Sequence, residues 1–382
     1  MQGIVGRRVL TQQGLGAARL RFDDAHIGEI SYAAADRADA GLLDAGDLLV
    51  LPGIVDIHGD AFERAVMPRP NVHFDYGHAL WDVDRQLLVN GITTAFHGVT
   101  VSWEGGLRGA PYAERMFDAL QRHAAVLGAQ HQVHLRFETH NLNDVDRACA
   151  WIREGRIGFV ALNDHLPSMY QRLGNDRKLL QYADRAQCDI DTFSQRIRDA
   201  HARAAEVPAA MARLVDCALS AGLQVASHDD PDDTVRRDYD AMGCRVAEFP
   251  LQVSTAALAR SLGNAVIFGA PNVVRGGSHV NAPSALDMVQ AGYCTVLASD
   301  YYYPAPLHAV FMMVAQGARS LADAWPLVSA NPALAANLSD RGVLATGLRA
   351  DAILVNDSLP GLPRVVATVV AGRIVFADRS LP

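Results

Sequence analysis

A histidine and an aspartate separated by a single glycine follow an early apolar segment of the 382-residue chain. The segment Ile54-Val55-Asp56-Ile57 has the composition of a short strand, and His58-Gly59-Asp60 comes directly after it. Because side chains alternate along a strand, His58 and Asp60 point the same way. An imidazole and a carboxylate in this arrangement can bind one divalent metal ion. Taken alone, the pair is also compatible with a capping histidine and a turn aspartate.

Four further apolar segments end on the same residue types, at Glu138, His165, His228 and Asp300. Three imidazoles and three carboxylates form a ligand set for two divalent cations about 4 Å apart that share an activated water. We therefore predict that two divalent metal ions are held by His58, Asp60, Glu138, His165, His228 and Asp300. Nitrogen and oxygen ligands without thiolate suit zinc, iron or manganese. The alternative is a set of hydrogen-bonded polar residues in the core.

The elements that must position these residues are strands alternating with helices. The predicted strands are 54–57, 92–96, 133–137, 159–162, 224–226, 245–249, 265–268 and 295–298. Eight strands of this kind match a closed, TIM-like (β/α)8 barrel better than an open sheet, and such barrels carry their chemistry at the carboxyl ends of the strands. The charged, helical stretch 167–208 is too long for a plain loop and is predicted to form a lid or an excursion at the edge.

Both ends of the chain contain short apolar stretches broken by glycine and aspartate, which predicts antiparallel strands. In the first 50 residues these are 4–5, 9–10, 18–22 and 27–32, and in the last part 352–355, 365–370 and 374–376. We predict a small β-sandwich domain built from residues 1–50 and 342–382, beside a barrel domain of residues 51–341. Two unrelated tails are the alternative.

The composition excludes several classes of function. A formal net charge of −8 argues against general binding of nucleic acid or of an anionic membrane. Five widely spaced cysteines without a Cys-x-x-Cys pair fit a reducing compartment. The amino terminus lacks the pattern of a signal peptide, and no window has the length of a membrane span. We expect a cytoplasmic protein, and the sequence is compatible with a homo-oligomer.

Six motifs carry a resemblance to a known family, and they are 51–64, 90–97, 135–138, 227–230, 269–279 and 298–301. These motifs resemble the PhnM family of phosphonate metabolism, which lies within the amidohydrolase superfamily. The superfamily more usually has His-x-His in its first motif, and the departure to His58-x-Asp60 is part of the resemblance to the PhnM family. The resemblance runs from about residue 48 to the end and implies a barrel of the amidohydrolase type.

The resemblance also implies a reaction. The family hydrolyses α-D-ribose 1-methylphosphonate 5-triphosphate to the 5-phosphate and pyrophosphate. A triphosphate needs fixed positive charge, so Arg64, Arg69 and Arg275 are candidate substrate-binding residues, together with His279. Arg275 is the strongest of them because Gly276 and Gly277 let backbone N–H groups approach an anion. Asp300 is assigned as general base as well as ligand.

Two loops depart from the family pattern, after His165 and after His279, which leaves open a change of substrate within a preserved metal centre. The alternative activity is hydrolysis of an amide or lactam, or deacetylation of an amino-sugar phosphate, with the same cations. A non-enzymatic barrel that has lost its metals is a second alternative. Asp229 is expected to orient a ligating histidine, and Tyr301-Tyr302-Tyr303 to pack at the rim.

Overall fold

The computed structural model describes residues 1–32, 41–69, 72–277, 282–359 and 361–381. Within these ranges the strands form two sheets, one mixed and one parallel. The chain divides into two compact units. The first unit comprises Met1–Ala95, Ala124–His131 and Ile267–Pro382, and the second comprises Phe96–His123 and Gln132–Val266.

The mixed sheet begins with five strands near the amino terminus. They are β1 (Gly3–Thr11), β2 (Gly14–Asp23), β3 (His26–Ser31), β4 (Leu42–Asp44) and β5 (Leu49–Pro52). The prediction of separate strands at 4–5 and 9–10 was wrong, because β1 is continuous and only changes register between Gly6 and Val9. Purely antiparallel pairing was also wrong, since β1 pairs in parallel with both β4 and β5.

The parallel sheet is the nearly closed barrel that the sequence predicted. Its strands are hydrogen-bonded in chain order: β6 (Ile54–Gly59), β7 (Ile92–Val101), β8 (Gln130–Glu138), β9 (Phe159–Asn163), β10 (Val225–His228), β11 (Val246–Glu248), β12 (Ala265–Gly269) and β13 (Val296–Ala298). A parallel bridge between Gly59 and Asp300 joins the ends of β6 and β13. All ten residues of β7 are buried, as expected for a parallel strand covered on both faces.

Three strands from the carboxyl terminus complete the mixed sheet. They are β14 (Ala352–Asn356), β15 (Arg364–Val370) and β16 (Arg373–Ala377). The strand β14 pairs antiparallel with β5, so both ends of the chain contribute to one sheet. The order of the sheet is β16-β15-β14-β5-β1-β2-β3, with β4 beside β1. The proposed domain boundaries at residues 50 and 342 stay a prediction.

In the described ranges, every barrel strand is followed by at least one helix. The helices are α1 (Glu63–Val66), α2 (Tyr76–Val89), α3 (Ala110–His123), α4 (Val145–Arg153), α5 (Leu166–Tyr170), α6 (Asp176–Arg185), α7 (Ile190–Ala202), α8 (Val207–Ser220), α9 (Asp233–Met242), α10 (Val253–Ser261), α11 (Ala270–Arg275), α12 (Ala285–Gln290), α13 (Ala305–Ala315), α14 (Leu321–Ala324) and α15 (Ala330–Ala335). Short 3-10 turns cover Gly106–Arg108, Leu142–Asp144, Ala204–Glu206 and Trp325–Val328.

The predicted helical excursion corresponds to α5, α6 and α7. It has a small core of its own in which Leu179, Phe193 and Ile197 are fully buried. The excursion is also tied to the loop after β7, because Arg185 of α6 bonds the buried Glu104 carboxylate at 2.5 Å and Arg196 of α7 donates to the Glu104 carbonyl. These contacts anchor the excursion to the loop after β7 within the second unit.

Among the described residues, no helix combines the length and the apolar character needed to cross a membrane.

Candidate metal centre

The second unit presents a row of polar side chains along β8. His134, Arg136 and Glu138 occupy alternate positions of the strand and therefore share one side. The strands β8 and β9 pair in parallel with Glu138 opposite Asn163. This register brings Glu138 close to His165, which lies two residues after the end of β9.

The Glu138 carboxylate holds His165 at two points. Its Oε1 lies 2.5 Å from Nδ1 of His165, and its Oε2 accepts the backbone N–H of His165 at 3.3 Å. Burial opposes ionisation of Glu138, but the hydrogen bond and charge of His165 hold the pKa of the carboxyl below its usual value. Burial likewise opposes protonation of His165, yet Glu138 raises the pKa of the imidazole. The contact between the two side chains therefore favours the charged form of each.

A second histidine joins this group from β10, whose last residue is His228. The Oδ2 atom of Asp229 lies 3.3 Å from Nδ1 of His228 and 3.9 Å from Nε2 of His165. One ligand atom from each of His165, His228 and Asp229 lies within 4.8 Å of the others. Two imidazoles and a carboxylate at this spacing have the donor chemistry of a first-row divalent metal site. Asp229, expected only to orient a histidine, is thus a candidate ligand itself.

The backbone at Asp229 is unusual and firmly held. Its φ is 57°, in the left-handed region that non-glycine residues seldom adopt. Its N–H donates to the carbonyl of Glu248 in β11 at 2.9 Å, and β11 pairs with β10 with Glu248 opposite His228. This bond points the Asp229 side chain back towards the two histidines.

An arginine engages the ring of His228. The Nη2 atom of Arg136 lies 3.1 Å from Nε2 of His228. A guanidinium can only donate, so Nε2 accepts and the ring proton is on Nδ1, the atom that faces Asp229. Metal binding through Nε2 would have to displace this hydrogen bond.

A further histidine–carboxylate pair lies four residues back along β8. His134 is fully buried, and its Nε2 is 3.7 Å from Oε1 of the equally buried Glu248. Neither residue was predicted as a ligand, although His134 occupies the same alternating row as Glu138. Period-two spacing back from a predicted ligand is the signal that would have found it.

In the first unit, the ends of β6 and β13 are joined around His58 and Asp60. The N–H of Asp300 donates to the carbonyl of His58, and the N–H of Asp60 donates to the carbonyl of Asp300, both at 2.9 Å. Asp300 is thereby fixed beside the first motif. His58 is buried, whereas Asp60 and Asp300 are half-buried. The structure thus brings these three sequence-predicted residues together.

A buried aspartate that was not among the predicted site residues secures this junction. Oδ1 and Oδ2 of Asp56 accept the N–H and the Oγ–H of Ser299, at 2.9 and 2.5 Å. Burial raises the pKa of Asp56, and the bonds to Ser299 oppose that shift. The partners are 243 residues apart, so no local pattern links them.

Glycine at the end of β12 makes room for the Asp300 carboxylate. A Cβ atom at Gly269 would lie 3.2 Å from Oδ2 of Asp300, tighter than ordinary contact. Asp300 itself has a φ of 55°, so its side chain is directed by a left-handed turn.

Two of the predicted substrate-binding arginines meet at Tyr301. Nη2 of Arg64 donates to the Tyr301 carbonyl at 2.5 Å, and Nη1 of Arg275 donates to the Tyr301 hydroxyl at 3.2 Å. Both arginines are exposed. Arg69 is exposed in a turn that pairs with Val72 and has no described contact with the other two. His279 lies outside the described residues.

Comparison with solved structures defines the class of fold. The chain superposes on N-isopropylammelide isopropylaminohydrolase from Burkholderia multivorans with a TM-score of 0.65 and 18% identity, over 98% of each chain. It superposes on L-hydantoinase (dihydropyrimidinase) from Arthrobacter aurescens with a TM-score of 0.65 and 14% identity, over 100% of this chain and 98% of the other. The fold is that of the amidohydrolase superfamily.

A curated relative then defines the family. The chain is 32% identical over 321 residues to the α-D-ribose 1-methylphosphonate 5-triphosphate diphosphatase of Escherichia coli (strain K12), covering 80% of this chain and 83% of the relative. The chain therefore belongs to the family of this diphosphatase, the PhnM family of hydrolases. No family model matches the chain.

Proposed function

We propose that the protein is a metal-dependent hydrolase of phosphonate metabolism that cleaves α-D-ribose 1-methylphosphonate 5-triphosphate to the 5-phosphate and pyrophosphate. Membership of the family named for this reaction supports the substrate and the bond that is broken. The group formed by His165, His228 and Asp229 is the structural observation that carries the metal-dependent part of the proposal.

The donor atoms suit the proposed metals. Imidazole nitrogens and carboxylate oxygens without thiolate fit zinc, iron or manganese. We assign two divalent cations to the strand-end residues His58, Asp60, Glu138, His165, His228 and Asp300, with Asp229 as an additional candidate. Such cations supply a Lewis acid for the phosphoryl oxygen and lower the pKa of a bound water.

The protein's own groups account for the rest of the proposed reaction. Asp300, fixed between His58 and Asp60 by two backbone hydrogen bonds, accepts the proton of the attacking water as its oxygen bonds to phosphorus. Arg64 and Arg275 provide two guanidinium groups around Tyr301 for the phosphate chain. Arg69 and His279 stay predictions as substrate-binding residues.

The proposal also includes the cellular location of the protein and its binding partners. The five cysteines form no disulfide in the described part of the chain, which supports a cytoplasmic location. The partner is a phosphorylated small molecule. The absence of nucleic-acid partners and a homo-oligomeric state both stay predictions.

The proposed function is tested with the purified, metal-loaded protein and the ribose triphosphate, following the products by phosphorus NMR. We expect pyrophosphate and the 5-phosphate in equal amounts, and no turnover after metal removal. An intact triphosphate together with hydrolysis of an amide or lactam would support the alternative activity instead.

Metal analysis of two variants tests the ligand assignment separately. His165→Asn and His228→Asn are each expected to lower the metal content per chain, because each removes an imidazole from the group. The matched control is His78→Asn, which changes an exposed histidine of α2. An unchanged metal content in both variants would remove these histidines from the ligand set.

A further inference from the structure

Tyr303 carries a buried hydroxyl without a hydrogen-bond acceptor in the described part of the chain. The residue is only 3% exposed, and its Oη atom has no hydrogen-bond partner among the described residues. The backbone N–H of Phe62 faces this oxygen without meeting hydrogen-bond geometry, and as a donor it cannot take the phenol proton. Buried tyrosine hydroxyls usually find a partner because an unsatisfied one costs stability.

The phenol lies at the first motif of the metal centre. Its Cε1 atom, next to the carbon that bears the hydroxyl, would be 3.5 Å from a Cβ placed on Gly59, between His58 and Asp60. The same Cβ would lie 2.8 Å from Oδ2 of Asp56. The ring therefore packs against the backbone that connects two proposed metal ligands.

Neither of the two carboxylates near the phenol accepts its proton in the described part of the chain. Asp56 and Asp60 both act on it electrostatically, as does the guanidinium of Arg64. Both oxygens of Asp56 are already engaged by Ser299. Burial, together with the charges of Asp56 and Asp60, raises the pKa of the Tyr303 phenol, so the hydroxyl is a neutral donor. A neutral donor near an arginine is suited to an anionic oxygen acceptor.

We infer that the Tyr303 hydroxyl donates a hydrogen bond to a phosphoryl oxygen of the polyphosphate substrate, beside the charge supplied by Arg64. This inference rests on the proposed function and adds a substrate contact to it. It changes the expectation for Tyr301-Tyr302-Tyr303, which the sequence analysis placed at the rim as packing residues. The neighbouring Tyr302 is 44% exposed and has no such role.

The test compares Tyr303→Phe with the matched control Tyr302→Phe in the metal-loaded, full-length protein. Inorganic tripolyphosphate is the binding probe, measured by calorimetry, and the ribose triphosphate is the substrate. We expect Tyr303→Phe to weaken tripolyphosphate binding about tenfold and to lower kcat/KM by roughly 10- to 100-fold. Metal content should stay the same, and the urea midpoint should be unchanged or higher, because the variant removes an unsatisfied buried hydroxyl. Tyr302→Phe should match the wild type.

Three outcomes would overturn the inference. The first is wild-type tripolyphosphate affinity and kcat/KM in Tyr303→Phe. The second is a lowered urea midpoint alongside the lost activity, which would show a structural role for the hydroxyl. The third is a wild-type protein that does not bind tripolyphosphate. If the wild type binds tripolyphosphate but leaves the ribose triphosphate intact, the proposed function fails, and the affinities of the two variants still decide the role of Tyr303.

Discussion

At the scale of single residues, Asp300 combines an unusual backbone with a fixed position. Its left-handed φ of 55° and its two backbone bonds to the first motif leave the carboxylate little freedom. Asparagine is one of the few residues that tolerates this conformation, so it can replace the aspartate without disturbing the turn. The substitution keeps one oxygen and the side-chain size but removes the basicity.

Asp300→Asn is therefore expected to lower turnover by roughly 10²-fold or more while most of the metal is retained. Steady-state kinetics and metal analysis of the same preparation provide the measurement. The matched control is Asp24→Asn, at another left-handed aspartate, in the exposed turn between β2 and β3. Near-normal turnover in a metal-replete variant would refute the role as base. Loss of metal together with activity would leave Asp300 as a ligand only.

The candidate ligands at the strand ends could be predicted from the sequence because each follows a short apolar run. The residues that form hydrogen bonds and ion pairs around them could not. Asp56 bonds Ser299, which lies 243 residues further along the chain, and Glu248 lies near His134 only because their strands belong to one sheet. Asp229 is a candidate ligand because the fold brings its carboxylate near both His165 and His228. Such partners are decided by tertiary packing, which local pattern does not contain.

At the scale of elements, a buried arginine holds the turn that carries His228 and Asp229. Arg236 of α9 is fully buried and donates to Oγ of Ser227 at 2.7 Å and to Oδ2 of Asp230 at 3.1 Å. Both of these bonds come from Nη1, and Nη2 donates to the carbonyl of Cys244 at 2.6 Å. Ser227 and Asp230 flank the two candidate ligands, so the arginine fixes both sides of the turn.

Arg236→Leu is expected to lower the free energy of unfolding by about 3–5 kcal/mol, because it leaves the Asp230 carboxylate buried without its counter-ion. Urea denaturation measures this loss. Arg237→Leu, the exposed neighbour on α9, is the matched control and should change stability by less than about 0.5 kcal/mol. An equally small effect in both variants would contradict a structural role for the buried pair.

A contact between α2 and the start of β8 makes the stability of the fold depend on pH in a predictable direction. Asp84 of α2 is buried and accepts hydrogen bonds from Ala129 N–H and from Nε2 of His131, at 2.9 and 3.0 Å. Burial opposes its ionisation, but these bonds, with that from Gly128, keep the pKa of Asp84 below its usual value. A lowered folded-state pKa stabilises the protein above the unfolded-state pKa, and this contribution is lost as the pH falls through the folded-state value.

Asp84→Asn should therefore destabilise the protein at neutral pH and flatten the acid limb of its stability curve. Urea denaturation of the metal-free protein between neutral and acidic pH provides the measurement, with Asp82→Asn on the exposed side of α2 as control. Parallel curves for the wild type and Asp84→Asn would show that this carboxylate does not contribute to acid stability.

The loop after His165 departs from the family motif, and local packing explains part of that departure. It forms the short helix α5, with Pro167 in its first turn. Leu166 and Met169 are buried in the core of the helical excursion. The departure from the family motif thus includes residues that serve the excursion, since Tyr170 also stacks on His201 of α7 and Arg172 donates to the Tyr182 hydroxyl of α6.

At the scale of the whole molecule, the sequence predicted the eight barrel strands and the contribution of both termini to one sheet. Apolar runs of limited length, each followed by a helix, are sufficient for that. The mixture of parallel and antiparallel pairing in the terminal sheet could not be predicted from apolar runs. The choice of β4 and β5 as parallel neighbours of β1 depends on where the intervening chain runs, not on the composition of β1.

The central claim is that water attacks the α-phosphorus of a ribose 5-triphosphate in a metal-dependent amidohydrolase barrel. Hydrolysis in oxygen-18 water, followed by the isotope shift in phosphorus NMR, tests it most directly. We predict that the label enters the ribose 5-phosphate and that the released pyrophosphate is unlabelled. Label in the pyrophosphate would place the attack on the β-phosphorus and contradict the account, as would a metal-loaded enzyme that leaves the triphosphate intact.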